Sequence, residues 1–238
     1  VLLAIGATAL AGSVGVLAVA TEDVTQHNGL STSDAAHLRF FVAHRSDRLV
    51  QVAKVVTEAG AAPLLALSAI LVAGVLWWRG ARLVVALAPA LALGLAGVAA
   101  GVAKQIVGRD RPPVGLRLLS ETEPSFPSGH ATDSAAFFLT LALVIAVFVL
   151  RRPLARVATV IVGVLVPGAI GLSRLVLGVH WPSDVIAGWA LGVTSSLTVV
   201  LVVVAVSRAT PPTGQTVGLR PRLIALLSTR RAPGLNAV

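Results

Sequence analysis

The sequence contains no cysteine, so no disulfide supports its loops and no thiolate metal site can form. It is also poor in charge, with 12% Asp, Glu, Lys and Arg against 56% hydrophobic residues and a mean hydropathy of +0.89. A soluble domain carries about a quarter charged residues, so that class is excluded and a membrane protein is indicated. The third shortage is local. The polar stretches after the second, fourth and sixth apolar runs hold ten arginines and no acid, whereas all ten acids lie in the remaining polar stretches beside nine Lys or Arg. The two sets therefore carry +10 and −1, which together make the chain's +9.

The apolar runs fall at 1–20, 61–78, 83–103, 135–150, 157–172 and 185–206, and most approach the ~20 residues that a helix needs to cross the hydrocarbon. They predict an all-α, polytopic membrane bundle of six transmembrane helices, with residues 1–206 as a single domain. The fourth helix is expected to begin near Ser128, because 135–150 alone is short. The run at 1–20 ends Ala18-Val19-Ala20, as a secretory leader can. It exceeds the ~7–15 residues of a leader's apolar region, so a retained helix is expected. The excess of Lys and Arg marks the cytoplasmic side. This assigns 21–60, 104–134 and 173–184 to the extracytoplasmic face of what reads as a bacterial cell membrane. The same asymmetry explains the pI of 11.7 without a nucleic-acid partner. Residues 21–33 read as loop, and 34–58 as one or two helices lying on the outer interface. Residues 207–238, with Pro211-Pro212 and scattered Arg, read as a basic, disordered cytoplasmic tail. Gly97-x-x-x-Gly101 and Gly188-x-x-x-Gly192 are expected to let helices pack closely, and Pro167 to kink helix five or be accommodated by neighbouring helices.

Three polar clusters share the outward side: "KQIVGRDRP" with Lys104 and Arg111, "PSGH" at 127–130, and "SRLVLGVHWPSD" with Ser173, Arg174, His180 and Asp184. Each residue alone has an ordinary explanation, such as a snorkelling Lys104 or a helix-capping Ser128. Ionisable groups gathered at membrane depth point instead to a functional site. Lys104, Arg111 and Arg174 are three cations with only Asp184 as an acid within the motifs. A helix starting at Ser128 directs the N–H groups of Ser128, Gly129 and His130 outward. Such a helix end favours an anion, Gly129 leaves room for close approach, and Arg and Lys suit a phosphate. His180 and Asp184 lie four residues apart, so the carboxylate can hold one ring nitrogen and leave the other as nucleophile. His130 can then serve as proton donor and acceptor. Spacing by itself supports an anion site with two histidines and requires neither metal nor cofactor. Asp133, one turn beyond His130, is expected to complement the dipole of helix four. Arg109, Arg117, Glu121 and Glu123 are candidates for shaping substrate choice.

The eleven positions Lys104-x6-Arg111-Pro112, Pro127-Ser128-Gly129-His130 and Ser173-Arg174-x5-His180-x3-Asp184 resemble the three-part signature of the type 2 phosphatidic acid phosphatase superfamily. The match is complete and in order, and the six-helix layout is similar to the family's integral-membrane branch. The resemblance implies a hydrolase of phosphoric esters or anhydrides in lipid phosphates: a polyprenyl phosphate or diphosphate, phosphatidylglycerol phosphate or phosphatidic acid. It implies His180 as the nucleophile that forms a phosphohistidine, Asp184 as its partner and His130 as acid and base. Lys104, Arg111, Ser128, Gly129 and Arg174 are implied to hold the phosphate. The same residues would serve a phosphotransferase, and the cations alone would serve an anion transporter.

Overall fold

The computed structural model describes residues 2–209; of the disordered tail expected at 207–238, residues 207–209 instead continue the last helix and the rest lies outside the described residues. In chain order the helices are α1 (Leu2–Gln26), α2 (Gly29–Thr32), α3 (Asp34–Ala43), α4 (Asp47–Glu58), α5 (Ala62–Trp78), α6 (Leu83–Ala86), α7 (Ala88–Val107), α8 (Gly129–Val144), α9 (Pro153–Val176) and α10 (Pro182–Ala209). A π-helical turn at Ile145–Val149 prolongs α8. Among the described residues there is no strand. Helices α1, α7, α8 with its π turn, α9 and α10 are each long and apolar enough to cross a membrane. A sixth crossing exists if α4 and α5, bent by 48° at their junction, count as one span.

The helix starts follow from local chemistry. Helices α5, α7 and α9 carry Pro in their first turn, and α10 opens on Pro182; proline is suited to this place because its missing N–H would have no partner there. Pro89 also explains why the third run does not form one helix from residue 83. A single turn, α6, precedes a fresh start at Ala88. The stretch expected as loop at 21–33 is mostly helical. Thr21 and Thr25 turn their hydroxyls back onto carbonyls of α1, and the Asp23 carboxylate accepts from the Leu30 amide at 2.8 Å. Run 61–78 gives the 17 residues of α5, which are long enough to cross a membrane only together with α4. Residues 34–58 form two helices, α3 and α4.

Helix α8 is the centre of the bundle, packed by α10, α9 and α7, while α1 lies along α10. The Ser13 and Thr194 hydroxyls join α1 to α10 at 3.0 Å. Of the two small-residue motifs, the one in α10 makes the close approach. A Cβ on Gly188 would lie 2.8 Å from the Ser128 carbonyl oxygen, and one on Gly192 would run into the Thr132 carbonyl. A Cβ on Gly101 would meet nothing, so the expected close packing at the α7 motif does not occur. Helix α9 continues through Pro167, whose carbonyl accepts from Trp189 Nε1 at 2.9 Å. The tight contact of α8 with α10 brings the start of one beside the start of the other.

Gly192→Ala should therefore destabilise the bundle, since the obstructing atom is backbone and cannot rotate away. A loss of about 1–3 kcal/mol is expected from thermal unfolding in detergent, against no measurable change for Gly101→Ala beyond helix propensity.

Candidate active site

The α7–α8 and α9–α10 connections lie at one end of the bundle, and the three sequence clusters meet there. Helix α7 ends at Gly108, whose φ of +59° is the left-handed conformation that favours glycine, and the chain turns there to present Arg109 and Arg111. Arg111 is held by donating from Nε to the Glu123 carbonyl at 2.7 Å and from Nη1 to the Val179 carbonyl at 2.8 Å. Its Nη1 also lies 3.2 Å from His180 Nε2. Arg174, 1% exposed, donates from Nη1 to Thr57 Oγ1 at 2.9 Å and from Nη2 to Glu121, while its Nε has no partner. Lys104 Nζ donates to the Pro124 carbonyl at 2.5 Å and lies 3.8 Å from Glu123.

The expectation of an acid-poor cluster is corrected here. Glu121 pairs with Arg174 and lies 3.5 Å from Arg111, so its carboxylate bridges the two guanidiniums. The acids come from the α7–α8 connection, which folds back over the site because Arg109 and Glu123 carbonyls accept from Ser125 and Arg111. Burial opposes the charge on Glu121, but Arg174, Arg111 and His180 together hold its carboxyl below the usual carboxylate range. Burial also lowers the Arg111 pKa, with Arg174 adding to the effect and Glu121 opposing it; a guanidinium remains cationic even so.

Ser128 precedes α8 in an extended conformation and makes no side-chain cap. Its amide is not free, as the sequence reading had it, but donates to the Asp184 carbonyl at 3.0 Å and so ties α8 to α10. Its Oγ is buried and has no hydrogen-bond partner. A Cβ on Gly129 would meet no atom within 4 Å, so open space adjoins that helix start, where first-turn amides have no intrahelical partner. The His130 ring lies beside Gly60, and Arg174, Glu121, His180 and Arg111 are all close enough to act on it electrostatically. Ser173 spends its hydroxyl on the Ile170 carbonyl. Asp133 is partly buried with one carboxylate oxygen unpartnered, in the second turn of α8.

His180, 1% exposed, faces Asp184 with Nδ1 at 3.4 Å from Oδ2, long for a hydrogen bond but aligned to hold the ring. Asp184 is wholly buried and accepts in addition from Ser125 Oγ, from the Trp181 amide at 2.9 Å and from Arg109 Nη1 at 2.5 Å. Arg109 in turn reaches Asp34 at 2.7 Å. The sequence reading missed Asp34, Thr57, Ser125 and Ser183, and it treated Arg109 only as a residue facing substrate. Ser125, Ser183 and Arg109 adjoin the motifs and were within reach of suspicion. Asp34 carries no local signal. Among the described residues, no three His, Asp or Glu side chains are grouped as metal ligands.

The helices define an integral-membrane protein that gathers two histidines and the cations Lys104, Arg111 and Arg174 at one end of its bundle. The PAP2 superfamily profile matches residues 85–208, more than half of the chain, and the chain belongs to that superfamily. It is 36% identical over 115 residues to a lipid A 1-phosphatase of Rhizobium johnstonii, covering 44% of this chain and 43% of that protein. It is 39% identical over 97 residues to a decaprenylphosphoryl-5-phosphoribose phosphatase of Mycolicibacterium smegmatis, covering 40% and 47%. Phosphatidylglycerophosphatase B of Bacillus subtilis is 29% identical over 166 residues, covering 69% and 80%. The chain thus spans under half the length of the first two relatives. Its fold is that of a transmembrane PAP2-type phosphatidylglycerolphosphate phosphatase from Bacillus subtilis, with a TM-score of 0.73 at 23% identity over 86% of this chain and 98% of that one.

Burial pushes the His180 pKa down to about 4; the Asp184 contact opposes this, and Arg111 and Arg174 add to it. The unfolded ring protonates near its ordinary value, about 6.5, so the unfolded chain binds more protons between about 6.5 and 4. Stability linked to this ring is therefore full above that window and lost as pH falls through it. Imidazole ¹⁵N resonances of the solubilised protein should show His180 neutral from neutral pH down to about 4; a midpoint at or above the ordinary value would contradict the burial argument.

Proposed function

We propose that this chain is a membrane lipid phosphate phosphatase that hydrolyses a phosphomonoester or diphosphate through a phosphohistidine on the extracytoplasmic side. The observation that carries this reading is the convergence of the three motifs on His180, with Nδ1 toward Asp184 and Nε2 toward Arg111. A neutral imidazole held at one nitrogen has a lone pair to offer at the other. Family membership and the lipid phosphates in the relatives' names support the substrate class: a polyprenyl phosphate or diphosphate, phosphatidylglycerol phosphate or phosphatidic acid.

In the first step Nε2 of His180 bonds to phosphorus as the bond from phosphorus to the leaving oxygen breaks, and His130 gives that oxygen a proton. The substrate's negative charge beside His130 favours the protonated ring needed for this. In the second step His130 takes a proton from water, whose oxygen bonds to phosphorus as the P–N bond breaks, releasing inorganic phosphate. Lys104, Arg111 and Arg174 neutralise charge on the transferring phosphoryl, with Ser128 Oγ and the Gly129 amide as further donors. Glu121 leaves the two guanidiniums when phosphate enters. The lipid tails remain in the bilayer while the headgroup reaches the bundle end. The charge asymmetry of the loops supports the sidedness.

Phosphate release from a panel of lipid phosphates in detergent with EDTA tests the reading. His180→Ala should abolish turnover, and His130→Ala should reduce it by about 10²–10⁴-fold; undiminished release by His180→Ala would remove the covalent route. Substrate transport without phosphate release would identify an anion carrier instead, and phosphate appearing on an added alcohol would identify a transferase. Since the chain lacks cysteine, sidedness can be read from introduced ones. Val114→Cys, in the α7–α8 connection, should react with an impermeant maleimide in intact cells, and Arg152→Cys, before α9, should not.

A further inference from the structure

Asp34 opens α3, ahead of the region matched to the family. It is 3% exposed, an unusual place for a carboxylate without assigned chemistry. Both of its oxygens are engaged. Oδ1 accepts from the Ser183 amide at 2.9 Å, while Oδ2 accepts from Ser183 Oγ at 2.5 Å and from Arg109 Nη2 at 2.7 Å. Asp34 thereby supplies, from another helix, the capping acceptor that the first turn of α10 lacks. Arg109 uses its second arm on Asp184 Oδ1 at 2.5 Å and on Ser183 Oγ at 2.7 Å, and lies over the Trp181 ring at 5.6 Å. The guanidinium thus forks across two carboxylates, a geometry that one ammonium cannot reproduce.

We propose that Asp34 and Arg109 form a positioning pair that fixes Asp184 behind His180 and sets the charge the imidazole meets as it attacks phosphorus. The proposal rests on the reading of His180 as nucleophile. With Arg109 and Asp184 alone, the buried group behind the ring is a neutral ion pair. Adding Asp34 leaves one net negative charge, which favours the positive charge that develops on imidazole when Nε2 bonds to phosphorus. The other charged groups acting on His180 are Arg111 and Arg174, with Glu121 and His130 across the pocket. Lys104 acts on Asp184 from α7. Arg111 and Arg174 both disfavour a charged ring at His180, so the additional carboxylate behind it offsets a field that otherwise opposes a cationic imidazole.

The test is steady-state kinetics of the full chain in detergent across pH, with thermal unfolding of each variant as a control. Asp34→Asn keeps an acceptor for the Ser183 amide and removes the charge. It should lower kcat about tenfold, leave KM within about twofold, and move the acid limb of kcat/KM to lower pH, because the ring loses an anion. Arg109→Gln removes a cation and should move that limb to higher pH. Asp34→Glu should restore the wild-type limb. Since all variants use one substrate, its own ionisation cancels in the comparison. Wild-type kcat and limb in Asp34→Asn, or shifts of one sign in both variants, would overturn the proposal. Should Arg109→Gln not fold, the Asn and Glu variants at position 34 decide it by the same limb. His180→Ala runs alongside: turnover there sinks the nucleophile reading itself, whereas an inert His180→Ala beside an unaffected Asp34→Asn sinks only the positioning pair.

Discussion

Asp184 has none of its surface in water, so every hydrogen bond that its carboxylate needs must come from the protein. The donors arrive from four places: Arg109 after α7, Ser125 before α8, the Trp181 amide at the start of α10, and His180 after α9. Satisfying that one group therefore requires both connections at this end of the bundle to close on each other. The α8–α10 contact makes this possible. Gly188 and Gly192 let the two helices approach until the Ser128 amide reaches the Asp184 carbonyl, and the motif at 127–130 and the motif at 173–184 become neighbours as a result.

The cations are organised on the same principle. Arg111 is fixed by two backbone carbonyls and Arg174 by the Thr57 hydroxyl, so their positions do not depend on a bound anion. On the proposed function, charge preorganised in this way stabilises a transition state without reorganising at the moment of reaction. Thr57 comes from α4 and Asp34 from α3, so the helices ahead of α7 contribute to the site as well as to the bundle's flank.

Much of this was legible in the chain because membrane spans and helix starts are local properties. The runs of apolar residues and the polar Ser128-Gly129-His130 announce their roles within a few residues, and the prolines at 63, 89, 153 and 182 carry an equally local signal for helix starts that the runs alone did not use. The two histidines, three cations and Asp184 were legible because their types and spacing are chemically uncommon in so apolar a sequence. Asp34 was not, since its partner Ser183 is 149 residues away and no periodicity reports a pairing at that range. The acids at 121 and 123 were visible as residues, but their fold-back depends on main-chain hydrogen bonds that side-chain patterns do not encode. The extension of α1 to Gln26 was hidden by Thr and Asp, which read as loop formers yet bond to their own helix and its continuation.

The Glu121 bridge between Arg111 and Arg174 means that the pocket does not present bare guanidiniums to solvent. On the proposed function, an arriving oxyanion enters by exchange for a tethered carboxylate, so its observed affinity is a difference between two charge-assisted interactions. A ligand with two charges on one centre outcompetes the tether more readily than a singly charged one. On that reading the resident acid acts as a valence filter.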